Sequence, residues 1–157
     1  QVTSIKTTFE AEQRYEATVL VDDLLARMNS SGIDSEKRKE AYLGASVTSI
    51  SYDSASGDPD GTNLTNCSTE VCSVEKKAAW DIYQWKLAIK ASAVTFESEN
   101  NQGLKGAIGC LSFPDDHSPR VTIVWESISP IGDGPGNIGC GGNLGKTFRH
   151  YSGPRRL

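Results

Sequence analysis

From Ser4 to Asn29 the chain carries neither Pro nor Gly, and apolar side chains recur at Ala17, Leu20, Val21, Leu24 and Met28. This i, i+3, i+4, i+7, i+11 spacing puts all of them on one stripe and predicts a long amphipathic helix, strongest in its second half. Ile5 and Phe9 add a thinner apolar edge before it. Asp23 and Arg27, and likewise Lys6 and Glu10, stand one helical turn apart. On an exposed face each such pair adds about 0.2–0.5 kcal/mol. The run stops at "NSSG", where Gly32 is a plausible helix terminator.

"DSEKRKEAYLGA" predicts a short second helix opened by Asp34 or Ser35, and "SVTSISY" alternates weakly, as a short strand does. "DSASGDPDGTNLTN" has the composition of a loop throughout. A further helix follows, capped by Ser73, with Ala78, Ile82, Trp85 and Ile89 on one face and Trp80, Tyr83 and Leu87 on its flanks. The remainder reads as sheet. Lys105–Phe113 and Arg120–Ser127 are β-rich runs joined by the turn-forming "PDDHSP", and "KTFRHY" is read as one more strand. In the second run Val121, Ile123 and Trp125 share one face and Thr122, Val124 and Glu126 the other, as in a sheet covered by helix on one side. Helices followed by antiparallel strands make an α+β fold, here in a single domain over residues 1–157.

Charge narrows the range of partners. Lys and Arg total 16 against 20 Asp and Glu, a formal charge of −4, with no basic run, so no nucleic-acid-binding face is expected. No apolar stretch approaches the roughly 20 residues needed to span a bilayer. The four cysteines form a close pair, Cys67 and Cys72, and a distant pair, Cys110 and Cys140. Neither spacing, with His117 and His150, fits the usual zinc patterns, so two disulfides in an oxidising compartment are preferred over metal or free thiols. Of the three connectivities, Cys67 with Cys72 and Cys110 with Cys140 is the expected one. A bridge just before the Ser73 helix would fix its first turn, where nucleation alone is unfavourable.

Several of these features carry a family likeness. "ATVLVDDLLARMNSS", "CSTEVCS" leading into "AAWDIYQWKLAI", and "VTIVW" together resemble the soluble domain of type IV pilus minor pilins of the pilus-modification, PilV type. The shared order is Asp23, Leu24, Arg27 and Met28 at a helix end, the pair Cys67 and Cys72, then Asp81 and Trp85, Cys110, and Trp125. The likeness spans Ala17 to Trp125; each motif alone is weak, and the ordered set is more specific.

The resemblance implies a pilin-like fold, a long N-terminal helix packed on an antiparallel sheet. Residues 1–30 would be the C-terminal half of that helix, and the apolar half, which anchors the subunit in the inner membrane, would precede Gln1. Leu20, Leu24, Met28, Ile82, Trp85 and Trp125 are the expected helix-to-sheet packing residues. The implied function is non-enzymatic: assembly or initiation of a type IV pilus, with incorporation at or near its tip and roles in adhesion and twitching motility. Partners would be other minor pilins, the major pilin and a tip adhesin, in the periplasm before assembly and outside the cell afterwards, in a Gram-negative bacterium. The chain departs from the family pattern in two places. The segment from Gly32 to Asn66 is not typical, and the chain stops at "SGPRRL", which leaves the completeness of the last strand open. A pseudopilin of a type II secretion system and an extracellular carbohydrate- or DNA-binding module are the alternative readings.

Four patterns invite chemistry and each has a plainer explanation. "GDGPGNIGCGGNLGKTF" ends like a phosphate-binding loop, but that motif needs Gly where Cys140 stands, and its Ser/Thr must open a helix. Gly134–Gly139 matches a dinucleotide fingerprint in letters only, containing Pro135 and leading into no helix. Asp115, Asp116, His117 and Ser118 are neighbours in a Pro-bounded turn, unlike a triad assembled in space. Asp53, Asp58, Asp60 and Asn63 raise calcium, yet no Gly or Glu closes an EF-hand, so a polar loop is the simpler reading. The sequons at Asn29, Asn63 and Asn66 are discounted for a bacterial pilin. No enzyme, cofactor or metal is expected.

Overall fold

The run without Pro or Gly is helical from its first turn: α1 spans Val2–Ser30. The computed structural model describes residues 2–93, 103–115, 117–126, 139–141 and 148–153, with only the backbone described at Val2, Thr3, Ile5, Lys6 and 148–153. Ala17, Val21, Leu24 and Met28 are fully enclosed, and Leu20 nearly so. At the C-terminal end the Ser31 hydroxyl donates to the Met28 carbonyl at 2.6 Å and the Ser30 hydroxyl to Arg27 at 3.0 Å. These bonds satisfy carbonyls that lack a partner inside the helix. Gly32 then turns the chain with a φ of 70°, a conformation that Gly adopts without strain.

Helix α2 covers Ser35–Leu43. Asp34 precedes it but makes no side-chain cap, and Gly44 ends it at φ 83°, its N–H donating to Glu40. Strand β1 is Ser49–Asp53, and helix α3 is Val74–Ala93. Ser73 caps α3, its hydroxyl accepting the Lys76 N–H at 3.4 Å and its carbonyl the Lys77 N–H at 2.9 Å. The Cys67–Cys72 disulfide lies immediately upstream.

Strands β2 (Ile108–Ser112), β3 (Arg120–Glu126) and β4 (Phe148–Gly153) complete a sheet of four strands among the described residues, in the order β1-β2-β3-β4 and antiparallel throughout. The sequence pattern starts the β2 run at Lys105, whereas the ladder starts at Ile108. Gly106, at φ 62°, and the Ala107 N–H to Leu104 carbonyl bond of 3.1 Å make the preceding residues a turn. Strand β4 starts at Phe148 and pairs with β3 from Val121 to Glu126.

One face of the sheet carries both long helices. Helix α1 packs on β3 and β4, α3 packs on α1 and β2, and α2 packs on α3. The closest approach is at Gly109 in β2, where a Cβ would stand 2.3 Å from Ile89 Cδ1 and 2.7 Å from a ring carbon of Trp85. Only the missing side chain lets α3 sit that low on the sheet.

The other face departs from the sequence expectation. Alternation along β3 predicts an outward, solvated row at Thr122 and Val124, but Thr122 is 2% exposed and Val124 fully buried. Cys140 lies over them, bonded to Cys110, and forms a second small apolar cluster with Val124 and the partly buried Ile108.

Candidate functional site

Leu20, Leu24, Met28, Ile82, Trp85 and Trp125 lie in one core cluster. Both buried indoles are also tied by polar bonds. Trp85 Nε1 donates to the Leu20 carbonyl at 3.0 Å, fastening α3 to α1. Trp125 Nε1 donates to Gln13 Oε1 at 3.4 Å, and Gln13 Nε2 donates to the Gly103 carbonyl at 3.0 Å. Gln13 is thus a buried polar link between α1, β3 and the turn before β2, and a buried indole without such a partner would be costly. Gln13 is hard to find from sequence because its partners stand about a hundred positions away; the one available hint is that it lies four residues before Ala17 on the same stripe.

A second polar centre joins the three helices. Arg27 Nε meets Asp23 Oδ2 at 2.9 Å, the pair anticipated for an exposed face. The pair is neither fully exposed nor isolated, because Arg27 Nη1 also lies 3.8 Å from Asp81 Oδ1, and Asp81 is buried on α3. The other Asp81 oxygen accepts the Tyr42 hydroxyl at 2.9 Å. Burial first, and then the neighbouring Asp81 carboxylate, push the Tyr42 phenol well above its ordinary range.

The phenol therefore keeps its proton in the folded chain at a pH where an unfolded tyrosine, with a pKa of about 10, loses it. A group raised in this way stabilises the fold fully below about pH 10, and that stabilisation is lost as pH climbs towards the folded pKa. Urea titrations between neutral and strongly alkaline pH are expected to show stability falling above about pH 10. The fall should be shallower in Tyr42→Phe. Part of it will persist there, since burial also raises Tyr52. An equally steep fall in both proteins would remove Tyr42 from this role.

The residues with suggestive chemistry occupy ordinary positions. The backbone N–H groups of His117 and Ser118 donate to Asp115 Oδ1 at 3.2 and 2.6 Å, which holds that carboxyl below its usual range. Asp115 therefore closes a turn. Asp53 Oδ1 accepts the Ala55 N–H at 2.8 Å, and Asp60 accepts from the Thr62 N–H and hydroxyl. Asp58 lies 3.6 Å from Lys90 Nζ, which donates to the Ser56 carbonyl. Among the described residues no group of three or more His, Cys, Asp or Glu gathers in metal-binding range. Asp116, Gly132–Ile138 and Gly142–Thr147, including most of the phosphate-loop lookalike, lie outside the described residues, as do the side chains of Ile5, Lys6 and His150.

What remains is surface suited to association. On α1, opposite the buried stripe, Tyr15 is 73% and Val19 46% exposed, one turn apart. Before Gln13 the described α1 side chains are exposed, except Phe9 and Glu10, which are half-buried. Between α2, the 54–73 loop and α3 lies an open groove of about 440 Å³, with Leu43, Leu64 and Ile82 among its apolar walls. Tyr83 forms another wall, its ring so close to Gly61 that a Cβ there would stand 2.8 Å from it. No helix among the described residues is long and apolar enough to cross a membrane. No family model, curated protein or solved structure matches the chain.

Proposed function

We propose that the chain is the globular domain of a type IV pilus minor pilin, a structural subunit that takes part in pilus assembly and is carried at or near the pilus tip. The observation that carries this reading is the two-sidedness of α1. From Gln13 to Met28 one side is locked into the core of an antiparallel sheet, while the Tyr15–Val19 side faces away from it and is exposed. A helix so built holds a globular domain at one end and offers its remaining surface to other helices, as assembly into a filament through packed helices requires.

The two disulfides suit a protein that matures in an oxidising compartment, here the periplasm, and then functions outside the cell. The partners on this reading are other minor pilins, the major pilin and a tip adhesin. The inner membrane would hold the subunit through a preceding apolar segment before assembly. The pilin-like character of the fold belongs to the same proposal: a long N-terminal helix, an antiparallel sheet and a disulfide from its second strand to Cys140 are the features that support it.

Photo-crosslinking in the piliated bacterium tests the proposal, using the full-length protein with a photoreactive residue at Tyr15, Val19 or Leu24. Crosslinks to other pilins are expected from the first two positions and not from buried Leu24. Crosslinks confined to unrelated proteins, or none from any position, would count against it.

A further inference from the structure

The groove between α2 and α3 has a lopsided charge. Among the described residues Glu40, Asp60 and Glu75 line it, with Lys86 as the one cationic lining residue. The Lys86 ammonium is turned to the ring of Tyr52, 6.0 Å from its centroid. None of the three carboxylates forms an ion pair among the described residues. Asp60 is held below its usual range by the Thr62 hydroxyl and N–H, and Glu75 by its own backbone N–H and the Ser73 hydroxyl. Below this acidic rim the walls are apolar at Leu43, Leu64 and Ile82, and Tyr83 presents an aromatic ring.

We propose that this groove is a docking site for a basic peptide segment of a partner protein, taking the side chain of an arginine or lysine along its apolar wall with the cationic head at the carboxylate rim. Such a side chain is itself divided into an apolar stem and a charged tip, and the groove is divided in the same sense. A volume of about 440 Å³ admits one such side chain with its flanking residues and lies within the ordinary range of binding clefts. Tyr83 adds an aromatic side chain to the same wall. The inference goes beyond the proposed function and does not depend on it, since it rests on the groove alone.

The test is an amide chemical-shift titration of the intact chain with acetyl-Gly-Arg-Leu-Arg-Gly-amide. Controls are the same peptide with citrulline for arginine, and spermidine. Shifts are expected to concentrate at Leu43, Gly44, Leu64 and the 75–86 face of α3, and to weaken as salt is raised. The citrulline peptide should bind at least about tenfold more weakly, and Glu40→Gln and Glu75→Gln should each weaken binding about fivefold, the scale of one exposed charge pair. Both glutamates are exposed, so the variants should keep the parent spectrum elsewhere. The proposal fails if millimolar peptide leaves the groove amides unmoved, if shifts gather elsewhere, or if the citrulline peptide binds as well. Equal binding and the same shifts with spermidine would identify a polycation site and would overturn the peptide reading.

Discussion

Leu24→Asp is expected to leave the chain unfolded at room temperature, seen as loss of the cooperative thermal transition in circular dichroism. Leu24 is fully enclosed, in the same cluster as Trp85 and Trp125. The substitution removes a large apolar side chain, worth about 2–5 kcal/mol when truncated to Ala. It also places a carboxylate where the nearest neighbours are hydrocarbon, adding several kcal/mol more unless the group takes up a proton. Domains of this size hold about 5–15 kcal/mol in total, so the sum consumes most or all of it. Leu24→Ala is the graded control, expected to fold with a lowered melting temperature. A melting temperature unchanged in Leu24→Asp would contradict the packing of α1 on the sheet.

The second large effect is expected from Cys110→Ser with Cys140→Ser. The bridge spans a sequence separation of 30 and joins β2 to the loop beyond β3. Closing a loop of that length restricts the unfolded chain by about 3–4 kcal/mol, against about 2 kcal/mol for the short ring at Cys67 and Cys72. Its loss also uncovers Val124 and Ile108, which meet Cys140 in the smaller apolar cluster. Urea denaturation of the two double variants should therefore rank them clearly, with the 110–140 pair losing more. Equal losses, or a larger loss from the 67–72 pair, would mean that the second face of the sheet is not held as described.

How much of this was legible in the sequence depended on the range of the interaction. The α1 and α3 stripes were readable because helix periodicity is local: Ala17 to Met28, and Ala78 to Ile89, repeat within a dozen residues. Both disulfides were open to pairing because only three connectivities exist for four cysteines. Burial of Val124 and Thr122 was not readable. Alternation separates the two faces of a strand but cannot say that Cys140, bonded to Cys110, covers the second face.

The polar ties were hidden for the same reason. Gln13, Tyr42 and Asp81 look like surface residues in a helical pattern, and their partners are supplied by folding. Gly109 carried a visible hint, an isolated Gly inside a strand pattern, which often marks a close approach of another element. The groove escaped because Ala79, Tyr83 and Lys86 form a stripe that looks like an ordinary solvated flank until α2 and the 54–73 loop rise beside it. The stretch ending in Gly145, Lys146 and Thr147 shows the opposite hazard, a motif in letters whose Cys140 is committed to a disulfide.

A minor pilin, as proposed for this chain, is physically part of the filament. Pili sheared from the cell surface and purified, then quantified by mass spectrometry against the major pilin, test it most directly. Peptides of this protein are expected in the pilus fraction far below the major pilin in amount, with fewer surface pili when its gene is deleted. Its absence from sheared pili, together with unchanged piliation in the deletion strain, would contradict the account.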